Sequence, residues 1–258
     1  YYLVPSPGRI FVSGDLSQAE ARVVAYLANC KDLIALFADP KRHLHQENAL
    51  AIFGHTVEPD SPEYVLAKAV VHASNYREGP RRFSVQTGLP VAQTKKLLEI
   101  YHSKRPEIRH WHKFVWDEVA RCGMLRSPLG DERVFYEAIS CFSLTGKMTD
   151  QQWKDAIAWV PQTTVPHITN LGLLGMQQQQ DELDIWFHHQ GHDSFLVSIP
   201  VGNAKAVVEL AKKAFCIPLM ASGKKFTIGM EFSSGFNFGD LWKWDGHEPT
   251  RREWQDWL

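Results

Sequence analysis

Two aspartates far apart in the chain sit in comparable surroundings. Asp15 closes an apolar run, Ile10, Phe11 and Val12, and Asp193 lies at the tip of a hairpin-like pattern, with residues 183–190 and 194–200 on either side of Gly191, His192 and Asp193. Both adjoin runs that belong in one core, so the two carboxylates can converge at one edge of a sheet. Paired carboxylates on rigid strands suit hard, oxygen-seeking divalent cations, Mg²⁺ above all, which takes one or two protein carboxylates plus substrate phosphates. Two such ions about 3.5–4 Å apart activate an attacking oxygen and stabilise a leaving one. A carboxylate pair also serves glycoside hydrolysis, and each Asp taken singly fits a turn cap.

A second constellation lies in AKAVVHASNY, residues 67–76. Lys68, His72 and Tyr76 fall at i, i+4 and i+8, one stripe along a helix. A lysine is a mobile point charge suited to a phosphate, and the two rings offer flat surfaces. Charge followed by two rings makes a surface for a nucleoside triphosphate, phosphates at one end and sugar and base along the rings. An amphipathic helix with a solvated lysine and two half-buried rings has the same pattern.

The elements that must hold these residues follow from periodicity and turn signals. Residues 9–14 predict a buried strand. Ser17 is placed to cap the next helix, with Glu20 completing a capping box, and Ala21, Val24, Ala25 and Ala28 recur at helical spacing. Further helices are predicted over 43–53, 62–76, 91–102 and 107–121, then a hairpin over 124–135 turning at 128–131. Residues 150–181 read as helical, broken or bent at Pro161 and Pro166. Two strands around Gly191–Asp193, a helix over 203–215, a strand over 225–232 and an aromatic tail complete the pattern. Strand, many helices, then hairpin implies an α+β fold, one sheet with a helical insertion between its strands.

Composition narrows the class. The 258 residues suffice for a proper core, 44% are hydrophobic and 22% charged, and no low-complexity tract occurs. Cys30, Cys122, Cys141 and Cys216 are scattered with no CxxC pair, which argues against a zinc ribbon or disulfide framework and is compatible with a reducing compartment. No apolar run reaches the roughly 18 residues of a membrane span, and no signal pattern opens the chain, so the cytoplasm is the expected default. Twenty-eight basic residues against 29 acidic ones leave no basic surplus of the kind nucleic-acid binders show. The histidines at 43 and 45 and at 188 and 189 diverge in direction on a helix or strand, which favours structural roles over a metal site.

Taken in order, these segments resemble the family A DNA polymerases, the bacterial polymerase I and phage replicative group. DLSQAEAR (15–22) is similar to the family's first motif, DYSQIELR, and AKAVVHASNYREGP (67–80) to its fingers-helix motif. RSPLGDERVF (126–135) sits where the family has a Leu-Asp-Gly-Arg-Arg hairpin. VPQTT (160–164) resembles the stretch around the primer-template glutamine, and GHDSFLVSIP (191–200) the His-Asp-Glu hairpin. The resemblance runs from about Leu3 to Trp242. It implies a palm antiparallel sheet with a large helical fingers insertion: palm over residues 1–29, fingers over 30–123 and palm again over 124–258.

By the same resemblance, Asp15 and Asp193 are catalytic carboxylate ligands of two Mg²⁺ ions, for which Mn²⁺ can substitute, assisted by the Leu16 carbonyl. Lys68 binds the triphosphate and protonates the leaving group. Glu20 is the steric gate at the sugar 2′ position. Tyr76 stands near the templating base, and Gln18 belongs with the substrate-binding set. Gln162 reads minor-groove acceptors that every base pair carries, His192 lies near the primer end, and Lys154 stands where the family has an arginine. Departures mark a divergent branch. Tyr64 replaces the arginine four residues before Lys68, so one phosphate ligand is missing or comes from elsewhere, such as Arg77, Arg81 or Arg82. His72 replaces the sugar-stacking Phe or Tyr, Arg77 a glycine, Ala158 an asparagine, and Ser194 the hairpin Glu.

Nothing in the sequence resembles the thumb, the first palm segment or an exonuclease domain of that family. The expected partners are therefore primer-template DNA, dNTPs, and an N-terminal polymerase segment or second polypeptide supplying the rest, with an exposed sheet edge where a strand is missing. A non-catalytic nucleic-acid-binding replication protein derived from the fold is the competing expectation. Retention of Asp15, Asp193, Lys68 and Glu20 together favours the polymerase.

Overall fold

The structure, a computed structural model, describes residues 3–250 and residue 253. Strands are β1 (Arg9–Leu16), β2 (Met124–Arg126), β3 (Glu132–Val134), β4 (Trp186–Gln190), β5 (Ser194–Pro200), β6 (Leu219–Ala221), β7 (Lys224–Phe226), β8 (Met230–Gly235) and β9 (Trp242–Lys243). Helices are α1 (Ala19–Leu27), α2 (Lys31–Ala38), α3 (Leu44–Phe53), α4 (Pro62–Asn75), α5 (Pro80–Thr87), α6 (Val91–Lys104), α7 (Pro106–Cys122), α8 (Tyr136–Thr145), α9 (Asp150–Gln177) and α10 (Ala204–Ala214). The mixed α/β content with one main antiparallel sheet is the fold class the sequence implies. Trp254 and Trp257 of the expected aromatic tail lie outside the described residues.

The chain divides into two compact units: a sheet unit of residues 1–19, 165–219 and 225–258, and a helical unit of residues 20–164 and 220–224. In the sheet unit five strands run in the order β4-β5-β1-β8-β9. The opening strand is thus central, flanked antiparallel by β5 and β8. Its residues Ile10, Phe11, Val12 and Leu16 are buried, as are Phe195, Leu196, Val197 and Ile199 of β5. Val207, Val208 and Ala211 cover them from α10, which packs on β1 and β8. The C-terminal half of α9 fits tightly beside this layer, since a Cβ at Gly172 would fall 2.4 Å from the Phe215 ring. β4 is one edge of the sheet, and Trp186 and Phe187 are exposed on it.

The helical unit has its own core, drawn from α1, α2, α4, α6, α7 and α9 through Val24, Leu33, Leu36, Val70, Tyr101, Ile108, Val115 and Ile157. Two long-range hydrogen bonds anchor buried polar groups within it. Tyr101 Oη donates to Asn75 Oδ1 at 3.0 Å, and the buried Arg105 donates through Nε to Asp32 at 3.0 Å. The hairpin expected over 124–135 is β2–β3, closed at its turn by Ser127, whose Oγ donates to Asp131 Oδ2 at 2.6 Å.

Two local expectations are corrected and one is narrowed. The segment expected to be broken or bent at Pro161 and Pro166 is one unbroken helix, α9. Each proline removes one donor, yet burial of Val160, Thr164, Val165, Ile168 and Thr169 holds the segment in place. α1 starts at Ala19, one residue later than a Ser17 cap implies, and Gln18 before it has left-handed backbone, φ 50°. The strand expected over 225–232 is two short strands, β7 and β8, separated by residues 227–229.

Candidate nucleotidyl-transfer residues

At the end of the sheet unit that carries the carboxylates, backbone pairing does the positioning. Asp15 stands opposite Ser194 of β5 on one side and Glu231 of β8 on the other. Beyond the ladder, the Leu16 N–H donates to the Asp193 carbonyl at 2.8 Å. This bond ties the peptide next to Asp15 to the hairpin tip. The tip is closed by Gly191 N–H donating to Ser194 O at 2.7 Å, and Thr169 Oγ1 donates to His192 O at 3.1 Å. Asp15 and His192 are exposed and Asp193 half-buried. The Oε1 atom of Gln18 is buried without a hydrogen-bond partner among the described residues.

The donor set fits Mg²⁺. It consists of hard oxygens, two carboxylates on adjoining strand ends with a backbone carbonyl beside one of them. Among the described residues no cluster of three or more His, Cys, Asp or Glu forms a closed cage. A cation that binds one or two protein carboxylates and completes its shell with water and substrate phosphates needs none. Glu231 was not singled out by the sequence, since only the strand register shows it facing Asp15. Ser17, expected as a helix cap, donates through Oγ to Glu231 Oε1 at 2.8 Å and through its N–H to Gly229 O at 2.9 Å.

In the helical unit the stripe on α4 is as the spacing predicts. Lys68 and His72 are exposed and Tyr76 half-buried, backed by the buried Ala67, Val70, Val71, Ala73 and Ser74. Ser61 caps this helix by accepting from the Tyr64 N–H at 3.2 Å, with Pro62 as its first residue. The His72 and Tyr76 rings lie 4.8 Å apart at 60°. Tyr76 Oη donates to Glu20 Oε2. Burial, and secondarily the Glu20 charge, push the phenol well above its ordinary range, so it stays a donor. A cleft of about 190 Å³ is lined by His72, Tyr76, Lys154 and Gln162 together with Arg82 and Gln151. Two residues of the α4 stripe thus share one cavity with Lys154 and Gln162, predicted from a distant segment.

Tyr64 keeps different company. Its ring lies 6.3 Å from that of His43 and 5.9 Å from that of His45. Burial, then the neighbouring His43 and Lys68, lower the His45 pKa to about 4, which makes His45 a neutral ring at neutral pH. Arg77 has left-handed backbone, φ 56°, with its guanidinium 3.6 Å from the Trp153 ring centroid and paired to Asp150. Lys154 Nζ reaches the same Asp150 carboxylate at 2.7 Å. Lys154 first and Arg77 second hold that carboxyl below the usual range.

The family model for DNA polymerase family A matches residues 1–243, a span that contains every residue described above. The chain belongs to DNA polymerase family A. Among curated relatives, DNA polymerase I, thermostable, of Thermus aquaticus is 25% identical over 211 residues, 81% of this chain and 25% of that protein. DNA polymerase I of Deinococcus radiodurans is 24% identical over 238 residues, 92% of this chain and 24% of that protein. The DNA polymerase of Mycobacterium phage D29 is 29% identical over 124 residues, 48% of this chain and 20% of that one. The chain therefore spans about a quarter of the length of the polymerase I relatives it matches. Its fold is similar to that of the POL domain of Pol1 from M. smegmatis, solved in complex with DNA primer-template and dNTP. The TM-score is 0.76 at 19% identity, covering 91% of this chain and 41% of that one. Among the described residues no helix is long and apolar enough to cross a membrane.

Proposed function

We propose that this chain is the palm-and-fingers part of a template-directed DNA polymerase that transfers a nucleotide from a dNTP to a primer 3′-hydroxyl. The division proposed is palm over residues 1–29, fingers over 30–123 and palm again over 124–258. The observation that carries the reading is the bond from Leu16 N–H to Asp193 O, which locks two strand-end carboxylates to neighbouring backbone in a family A chain.

In this reading Asp15, Asp193 and the Leu16 carbonyl hold two Mg²⁺ ions. When bound, they supply charge neutralisation on the phosphates and make the 3′-hydroxyl a better nucleophile. The protein's part is placement, which dominates phosphoryl-transfer catalysis. Lys68, exposed at the open end of the α4 stripe, takes the triphosphate charge. His72 and Tyr76 give the sugar and base their flat wall. Glu20, fixed by the Tyr76 phenol, fills the space a 2′-hydroxyl would need. Gln162 and Lys154, on the other wall of the cleft, meet the duplex. Gln18 has a spare acceptor for a donor on the substrate, and His192 stands next to Asp193 at the primer end.

The remaining polymerase, with thumb and first palm segment, is proposed as a separate stretch of chain or second polypeptide, in keeping with the fraction of the relatives' length matched. The test is Mg²⁺-dependent extension of a labelled primer-template by this chain with a polypeptide supplying that remainder, run beside Asp193→Asn. Extension by wild type and none by the variant is expected. DNA binding without extension would instead favour the non-catalytic protein.

A further inference from the structure

The residues facing Asp15 across the sheet form a row, Ser194–Asp15–Glu231, on β5, β1 and β8. Directly opposed residues of antiparallel strands project from the same face with Cβ atoms about 4.5–5.5 Å apart. Two carboxylates so placed repel, and such pairs are destabilising unless something uses them. Ser194 stands where the resembled hairpin has a carboxylate, so the acidic neighbour of Asp15 occurs here on its other flank.

Glu231 is also bonded. Its Oε1 accepts from Ser17 Oγ at 2.8 Å, while Ser17 N–H donates to Gly229 O at 2.9 Å, two residues before Glu231. Ser17 follows Leu16, whose N–H is fixed on Asp193 O. Side-chain and main-chain bonds of Ser17 therefore clamp the turn after β1 to the start of β8. That turn carries the Leu16 carbonyl and leads into Gln18, whose left-handed backbone leaves it little slack.

We propose that Glu231 is a positioning residue of the carboxylate end: through Ser17 it fixes the β1–α1 turn and so the oxygens of Asp15 and Leu16. This rests on the polymerase reading for the purpose of the turn, though not for its mechanics. A partner that orients a ligand commonly contributes about 10–100-fold to metal affinity.

Two measurements on the full chain test it. The first is metal-free amide hydrogen exchange of Leu16 and Ser17. Glu231→Ala and Ser17→Ala should each speed Ser17 exchange by about tenfold, the factor given by loss of one charge-assisted hydrogen bond. Glu231→Gln, which keeps an acceptor at Oε1, should stay near wild type, and the double alanine variant should be no faster than either single one. The second is Mn²⁺ affinity by electron paramagnetic resonance, where Glu231→Ala should lose about tenfold and Glu231→Gln much less. Unchanged exchange in both alanine variants, or Gln behaving as Ala, overturns the inference. Faster exchange in a chain whose wild type binds no Mn²⁺ supports the clamp and faults the polymerase reading instead.

Discussion

The Leu16 N–H and the Asp193 carbonyl are hydrogen-bonded at 2.8 Å, joining positions 177 residues apart in the chain. The backbones on either side of the two carboxylates are tied together through the β1–β5 ladder and this additional bond, so a change confined to a carboxylate leaves that link in place.

Asp15→Asn and Asp193→Asn keep the side-chain shape and the backbone link, so each should leave unfolding free energy within about 1 kcal/mol of wild type. Each should also lower primer extension by at least about 10³-fold, the scale for losing a principal charge stabiliser. Urea denaturation and single-turnover extension on the same preparations check both halves. A large loss of stability would mean that the carboxylates brace the fold.

Gly14 lies one residue before Asp15 and has the opposite character. A Cβ there would fall 2.5 Å from the Phe195 ring and 2.9 Å from the Met230 side chain, both in the sheet unit. Overpacking of this kind costs about 1–3 kcal/mol. Gly14→Ala should lower the unfolding free energy by that amount, seen as a lower denaturation midpoint with m unchanged. Adding Phe195→Leu, which opens space at the same point, should recover part of it, visible as non-additivity in a double-mutant cycle.

Much of this architecture was legible before any coordinates. Asp15 at a strand end, Asp193 at a hairpin tip and Lys68–His72–Tyr76 on one helix face rest on local periodicity, which sequence displays directly. Glu231 was invisible because strand register is a long-range property, and nothing near residue 231 points to residue 15. For α9 the sequence leaves a break and a bend at Pro161 and Pro166 both open, and burial on several sides favours the unbroken helix. Ser17 and Glu20 read as a capping box from spacing alone, whereas the structure gives Ser17 a bond to Glu231 and Glu20 a bond to Tyr76.

Buried histidines set an acid limb to stability. His102 and His112 are almost fully buried in the helical unit. Burial leads the causes that lower each pKa to about 4, from an ordinary 6.5. His112 Nε2 donates to Asn75 O at 2.8 Å, so its neutral tautomer is the one the fold selects. Between pH 6.5 and 4 the unfolded chain binds these protons and the folded chain does not, so stability falls as pH drops through that window. Each histidine contributes up to about 1.4 kcal/mol per pH unit there. His112→Gln, which retains a donor, should flatten the acid limb by about that slope in denaturation curves taken across the window.

The Glu20–Tyr76 bond predicts an effect at the other end of the scale. The phenol pKa is raised by burial first and by Glu20 second, so its stabilising contribution is complete below pH 10 and is lost as pH rises above it. Tyr76→Phe should remove that alkaline decline. At neutral pH it should cost about 1.5–3 kcal/mol, the range for a hydrogen bond to a charged group. In extension assays it should also weaken exclusion of ribonucleotides, since Glu20 loses its bond to the phenol. A Phe variant with unchanged sugar discrimination would separate Glu20 from the gate role.

Arg77 sets a backbone cost against two side-chain contacts. A non-glycine residue at φ 56° is strained by about 1–2 kcal/mol. Against this, the guanidinium stacks 3.6 Å from the Trp153 centroid and pairs with Asp150. Stacking contributes about 0.5–2 kcal/mol, and a half-exposed ion pair about 0.2–1 kcal/mol. The two sides are of similar size, so the sign depends on which is removed. Arg77→Gly gives up both contacts and also relieves the backbone, so it should lie within about 1 kcal/mol of wild type. Arg77→Ala gives up the contacts and keeps the strain, so it should be less stable than Arg77→Gly by about 1 kcal/mol. Thermal denaturation of the two variants side by side settles the order. If Ala and Gly prove equal, the left-handed backbone at residue 77 carries no cost, and the contacts alone explain the arginine.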